Sequence, residues 1–461
     1  MQLVTPKFLP PLDEGFRPAS LANRAFRRAV EETGAARPVK IALERGQGCI
    51  SVYETIVFPE GHPREEENYR YIERMVKFLL WQRGGWKVTI GGAPEIAAYL
   101  KKVYSPTGDR AFDFDFMGGV YEKTFTLENA AIEQVPESVE SAISVGRHLK
   151  GCRVGFDAGA SDWKVAAVVD GESIFATEVP WDPKVQTDPD YHYKAIRTAV
   201  KTAALHMPRV DAIGVSSAGV YIDNKAMVAS LFRGVPKDLF EQKIKPIFIN
   251  IGKEFGVPIE VANDGDVTAL AGSMSLGVDR VLGIAMGSSE AVGYVDGQGN
   301  ITGWLNELAF APVDYRENAP ADEWSGDLGC GVQYFSQQAV IRLAPAAGIA
   351  LAEGNMPGDK LKEVQKLHDA GDERAEKIFE SIGVYCGYAV AHYADFYDLE
   401  HTLILGRVTS GQGGQVILDK AREVLKSEFP DLGHITINLP DEKSRRVGQA
   451  VAAASLPALG H

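Results

Sequence analysis

Cysteine is scarce: Cys49, Cys152, Cys330 and Cys386 are the only four thiols in 461 residues, and they lie far apart. Such spacing offers neither a metal knuckle nor a disulfide framework, and it fits a reducing cytoplasm. Positive charge is also in short supply. Forty-eight Lys and Arg stand against 62 Asp and Glu, for a formal charge of -14. Affinity for a phosphate backbone comes mostly from clustered cations, so nucleic acid is not an expected partner. No apolar run is long enough to span a bilayer, and the opening Met1-Gln2-Leu3-Val4-Thr5-Pro6 lacks the apolar core of a secretory signal. A soluble, cytoplasmic protein without a membrane partner is expected.

Hydrophobic residues make up 45% of the chain, ample for proper cores, and the length predicts two or three domains. Residues up to about Pro38, rich in Pro, Arg and Ala, read as an arm lying on something else. Val39–Leu43, Gly46-Gln47-Gly48 and Ile50–Phe58 read as strand, turn, strand. Tyr69, Ile72, Met75, Val76, Leu79 and Leu80 fall at helical spacing before Gly84-Gly85, and Lys87–Ile90 reads as a short strand. Pro94 suits the first turn of another helix. The aromatic run Phe112, Phe114, Phe116, Tyr121 and Phe125 could line a ligand site, but packing is its commoner use. A polar, acidic stretch from Glu128 to Val145 suggests a boundary.

Beyond that boundary the sequence repeats a pattern. Val154–Ser161 reads as a strand ending in a small-residue turn, followed by the strand Lys164–Val169, an Asp170-Gly171 turn and a strand from Ser173. Val281–Ser289 leads likewise into Ala291–Val295, an Asp296-Gly297 turn and a strand near Ile301. Further strands are expected at Ala212–Ser216 and Thr402–Leu405. The duplication points to two similar α/β lobes facing one another.

Small-residue turns permit backbone N–H groups to approach phosphate oxygens. Asp157, at the end of a buried strand, is costly unless it meets a cation or water, and a Mg²⁺-bound phosphate is a sensible partner. Ordinary hairpins with a capping Asp would look alike. In Gly256–Leu270 a short strand ends in Asn263-Asp264 and runs at once into a small-residue helix. Asp264 could take the proton from a hydroxyl attacking a γ-phosphate, or it could merely cap the helix.

In order, these elements resemble the ROK family of bacterial sugar kinases and sugar-responsive repressors, within the actin/hexokinase superfamily, over roughly residues 150–456. The first phosphate motif is similar to Asp157-Ala158-Gly159-Ala160-Ser161, the second to Gly287-Ser288-Ser289, and the Asn-Asp-Ala pattern to Asn263-Asp264-Gly265. Gly303-Trp304-Leu305-Asn306-Glu307-Leu308-Ala309-Phe310 resembles the family's Gly-x-x-Gly-Glu-x-Gly-His segment, and Leu405-Gly406-Arg407-Val408 its glycine-rich strand end near adenine.

The resemblance implies two duplicated actin-like, ribonuclease H-like lobes around a nucleotide cleft, plus an N-terminal α/β domain. The expected division is 1–150 for an accessory domain, 151–275 for lobe 1 and 276–461 for lobe 2. It further implies Asp264 as general base and Asn263 and Glu307 as sugar ligands. Mg²⁺ and ATP would be held by Asp157, Gly159, Ser161, Gly287, Ser288, Ser289 and Gly406. Family members often pair as homodimers. Departures are equally specific. Of the histidine and three cysteines of the family's zinc site only one cysteine is kept, Cys330, with Phe310, Glu323 and Ser325 in the other places, so no structural zinc is expected. Val332 stands in place of a second sugar-binding glutamate, Ser288-Ser289 in place of Thr-Gly, and Arg407 follows Gly406 in place of glycine.

The leading reading is therefore an ATP-dependent kinase of a sugar or polyol, and the alternative is a catalytically idle sensor of the same fold. A repressor would need a basic winged helix-turn-helix ahead of residue 150, where the sequence reads as hairpin, helix and strand.

Overall fold

Alternating β-branched residues build the first sheet. In the computed structural model, which describes residues 1–140, 145–440 and 442–459, β1 (Arg37–Glu44) pairs antiparallel with β2 (Ile50–Val57) and with β3 (Lys87–Gly91), and β3 runs parallel to β4 (Thr126–Ala130). Val39, Ile41 and Leu43 point to the buried face, as a period of two requires. The helix Glu67–Arg83 ends at Gly84, whose φ of 80° only glycine adopts freely. The helix Pro94–Val103 begins with proline in its first turn. The N-terminal arm is ordered by its own contacts. Asp13 accepts a hydrogen bond from the Tyr385 hydroxyl at 2.6 Å and pairs with Arg316 and Arg342, and Phe16 packs edge-on against Tyr385.

Packing divides the chain into two units. One holds Met1–Glu140, Ile284–Val292 and Gly303–Leu439; the other holds Ser141–Gly283, Gly293–Thr302 and Pro440–His461. Residues 141–144, within the candidate boundary, lie outside the described residues.

The second unit is centred on a five-stranded sheet. β5 (Cys152–Ala158), β6 (Asp162–Val169) and β7 (Glu172–Pro180) form the antiparallel meander; β8 (Ala212–Ser217) lies parallel to β5. After a two-stranded ribbon, β9 (Val220–Ile222) and β10 (Lys225–Val228), β11 (Ile259–Asn263) joins β8 in parallel, giving the order β11-β8-β5-β6-β7. One face packs Val154, Phe156, Val165 and Val215 against Ile196, Val200 and Phe248. The opposite face, carrying Arg153, Gly155 and Asp157, receives the helix Glu442–Ala454. Arg153 is buried there, donating to the Ala454 and Pro457 carbonyls at 3.3 and 2.8 Å, where a helix C-terminus welcomes a cation.

The second sheet has the order β13-β12-β14-β15, built from β12 (Val281–Met286), β13 (Glu290–Val295), β14 (His401–Leu405) and β15 (Thr436–Asn438). The duplication is visible in both sheets, with one difference from expectation. Near Ile301 no strand forms, and Ile301 makes only isolated bridges to Val145 and Val295. Pairing stops there because the chain is soon engaged elsewhere: the Asn306 and Glu307 amides donate to the Gln82 and Trp81 carbonyls at 2.8 and 2.9 Å.

The helix Glu442–Ala454 can approach the sheet only where side chains are missing. A Cβ on Gly155 would strike the Ala450 carbonyl, and one on Gly214 the Ala453 carbonyl. Gly214→Ala should therefore cost at least the roughly 1–3 kcal/mol of an overpacked core. A urea denaturation midpoint unchanged from the wild type would refute this close approach.

Candidate active site

Parallel strands bring their carboxyl ends level, and in open α/β sheets those ends hold ligands. In the second unit, register places Asp157 of β5 beside Ser216 of β8, and Ser217 beside Asn263 of β11. Asp157 is buried. Its Oδ1 accepts from the Ser216 hydroxyl at 2.8 Å and from Gln449 at 3.4 Å, while Lys164 lies 3.8 Å from Oδ2. Burial raises the Asp157 pKa above the ordinary carboxylate value despite Ser216 and Lys164, which oppose the shift. The adjoining turn is small and tight. A Cβ on Gly159 would meet the Asp162 carbonyl, and the Ser161 hydroxyl donates to Asp162 at 2.8 Å.

Asp264 opens the helix Asp264–Leu276, and the N-cap position belongs to its neighbour: the Asn263 side chain accepts from the Gly265 amide at 2.7 Å. Asn263 also donates from Nδ2 to the Gly219 carbonyl at 2.8 Å, which fixes its amide plane. The Gly265 amide is shared with Asp264, whose Oδ1 accepts from it at 3.1 Å, so Asn263 makes the shorter of the two capping bonds. Asp264 keeps partial access to solvent. The mass of protein around it, with a contribution from the Asp157 charge, pushes its carboxyl up to about 6.

The first unit holds the remaining predicted residues. The Gly287 amide donates to the Ser289 carbonyl at 2.9 Å, closing the turn between β12 and β13, and Ser288 and Ser289 stand exposed. Gly406 has φ 102°, and a Cβ there would run into the Met286 backbone, so the end of β14 lies directly against that turn. Arg407 is exposed. Glu307, half-buried, starts the single helical turn Leu308–Phe310, whose last amide donates to the Glu307 carbonyl at 3.2 Å.

Two features escaped sequence reasoning. Glu290 begins β13 directly after the serine turn and is buried with Oε2 lacking any hydrogen-bond partner; Oε1 has only the Tyr393 hydroxyl at 3.5 Å. Burial, assisted by the Glu307 charge, pushes its pKa up to about 8, so it holds a proton at neutral pH. A lone acid heading the otherwise apolar run Ala291–Val295 was the available signal.

The second feature is how the Ala309–Cys330 segment is held. Among the described residues, no group of three or more His, Cys, Asp or Glu is placed to bind a metal ion. Buried Cys330 instead points its sulfur at the Phe310 carbonyl, 3.4 Å away. Asp327 sits among three cations from the N-terminal region: Arg110 at 2.7 Å, Arg74 at 3.3 Å and Lys77 at 3.5 Å. Glu73 and Asp113 share those cations, and against the opposing cost of burial the charges of Arg74, Lys77 and Arg110 hold the Asp327 carboxyl well below the usual range. Phe310 packs on Trp81 with ring centroids 4.3 Å apart.

The sequence model described as the ROK family matches residues 153–432. No curated protein matches the chain. Among solved structures, it is similar to a ROK hexokinase from Thermus thermophilus at 19% identity and a TM-score of 0.52, covering 66% of this chain and 96% of that one. A ROK-family transcriptional regulator, described as a homologue of the E. coli MLC protein, is matched at 19% identity and a TM-score of 0.52, covering 67% of this chain and 79% of that one. At these identities the likeness to solved structures shows the fold.

Two stability predictions follow from the buried charges. Asp327→Asn leaves three cations short of one counter-charge, and breaking such a pair should cost about 3–5 kcal/mol; a denaturation midpoint within experimental scatter of the wild type would contradict it. Glu290 binds its proton more tightly folded than unfolded. Its stabilising contribution is therefore complete below its ordinary value of 4.5 and is lost as pH rises through about 8. Glu290→Gln should flatten that part of the melting-temperature profile, and equal slopes for the two proteins between pH 5 and 8 would reject the assignment.

Proposed function

The chain belongs to the ROK family, and on that premise we propose that it is an ATP-dependent kinase acting on a sugar or polyol hydroxyl, with Asp264 as general base. The observation that carries this reading is a carboxylate at a helix start that keeps partial access to solvent while Asn263 makes the shorter of the two bonds to the Gly265 amide. With a pKa near 6, Asp264 is mostly ionised at neutral pH while remaining basic enough to accept a proton in the transition state.

Asn263 retains one amide hydrogen and one lone pair beyond its two structural bonds, enough to orient a substrate hydroxyl. Glu307 would accept hydrogen bonds from other hydroxyls. Asp157 fits a role towards Mg²⁺: it is a buried carboxylate whose compensation is incomplete, and this cation commonly takes one or two protein carboxylates along with phosphates. Bound Mg²⁺ would neutralise charge developing on the transferred phosphoryl group. In the second unit the backbone of the Gly159 turn, and in the first unit the Gly287 turn with the Ser288 and Ser289 hydroxyls, would each offer donors to phosphate; Ser161, whose hydroxyl donates to Asp162, would have to turn from it to join them, and the nucleotide base would lie towards Gly406.

A second reading, a sugar or nucleotide sensor without turnover, is favoured by one observation. Phe310 spends its side chain on Trp81 and offers no polar group to a sugar. The substrate class, the catalytic status and a homodimeric state all belong to this proposal.

Asp264→Asn tests the assignment. Since Asp264 resists ionisation in the fold, neutralising it should leave the melting temperature at pH 7 unchanged or raised. Turnover should fall about 10²–10⁴-fold, and wild-type turnover should decline as pH drops through about 6. Undiminished turnover in the variant would remove Asp264 as the base. A wild type inactive on a broad sugar and polyol panel with Mg²⁺ and ATP would favour the sensor.

A further inference from the structure

Five aromatic rings gather beside Glu307, and they come from segments distant in sequence. Trp81, fully buried on the helix Glu67–Arg83, forms the base. Phe310 stacks on it with ring centroids 4.3 Å apart and a tilt of 30°, Phe116 lies at 4.7 Å and Phe112 at 6.0 Å. Phe112, Phe116 and Phe310 are each only partly covered, and Trp324, 6.2 Å from Phe310, is 65% exposed. A tryptophan that open, joined to half-covered phenylalanines over a rigid base, forms a preformed aromatic surface.

Its position narrows what it can hold. Phe310 and Glu307 are the two ends of one helical turn, so the aromatic surface continues from the carboxylate assigned to substrate hydroxyls. The exposed carboxylates Asp115 and Glu323 adjoin Phe116 and Trp324 in the chain, which disfavours an anionic ligand and supplies acceptors for hydroxyls. Aromatic faces carry negative quadrupole density that attracts weakly positive C–H groups, such as those on the face of a pyranose ring.

We propose that this aromatic surface is a second sugar subsite, which stacks a pyranose ring attached to the one held by Glu307. The ligand is then a glycoside of at least two rings rather than a free monosaccharide. The proposal rests on the assignment of Glu307 to the sugar, but it holds for a kinase and for a sensor alike.

Tryptophan fluorescence titrations with cellobiose, maltose, lactose and N,N′-diacetylchitobiose, each beside its constituent monosaccharides, provide the test. At least one disaccharide should bind about tenfold more tightly than its monosaccharides. Trp324→Ala should abolish that difference while keeping the melting temperature and monosaccharide affinity, and Trp324→Phe should restore part of it. Binding without turnover in the wild type would then sink only the kinase assignment, while turnover without preference for two rings would sink only the subsite. A panel in which no disaccharide surpasses its monosaccharides, including one in which nothing binds, overturns the proposal. So does a Trp324→Ala that changes self-association in sedimentation without changing sugar binding, since the surface would then belong to a contact between copies.

Discussion

Asp327 and the cations around it set the terms for the first unit. A carboxylate that deep is tolerable only with full compensation, and Arg74, Lys77 and Arg110 provide it from the helix Glu67–Arg83 and from the residue preceding the helix Ala111–Val120. The cations in turn require Glu73 and Asp113. This mutual dependence binds the N-terminal region to the Ala309–Cys330 segment. Trp81 donates its indole N–H to Asp113 at 2.5 Å, which holds the ring on which Phe310 stacks. The aromatic surface and the approach to Glu307 are therefore consequences of one buried ion cluster.

The second unit depends on close backbone approach rather than on charge. Gly155 and Gly214 admit the helix Glu442–Ala454 to the sheet face that carries Asp157, and Gln449 from that helix reaches the Asp157 carboxylate. Strand register then sets Asp157, Ser216 and Asn263 at the ends of neighbouring strands. Asp157 and Asp264 both resist ionisation, and their mutual repulsion adds to burial at Asp264. That is an unfavourable arrangement for stability and a suitable one for proton transfer and cation binding.

The residues with local signatures were legible. Strand, small-residue turn and strand have a period and composition that neighbours in sequence specify, so β5, β6, β12 and β13 and their turns could be read directly. Asp264 was placed at a helix start because Asn-Asp between an apolar run and small helix formers has few other meanings. How the pair divides the capping was not legible, because both are good caps; in the structure both accept from the Gly265 amide, Asn263 at 2.7 Å and Asp264 at 3.1 Å. That Phe310 is apolar and aromatic was visible in the sequence, but its packing partner was not, since Trp81 lies more than two hundred residues earlier in the chain.

The sequence by itself determined the family, the α/β class, the duplicated strand-turn-strand pattern and the residues at the strand ends, because short-range periodicity, turn chemistry and motif order encode them. Tertiary structure alone decided that Glu290 keeps an unpartnered carboxyl oxygen, that Asp327 gathers its cations and that five distant rings meet beside Glu307. The physical reason is that burial, desolvation and ring packing belong to the environment a side chain enters. That environment is assembled by contacts between segments whose pairing leaves no local mark on the chain.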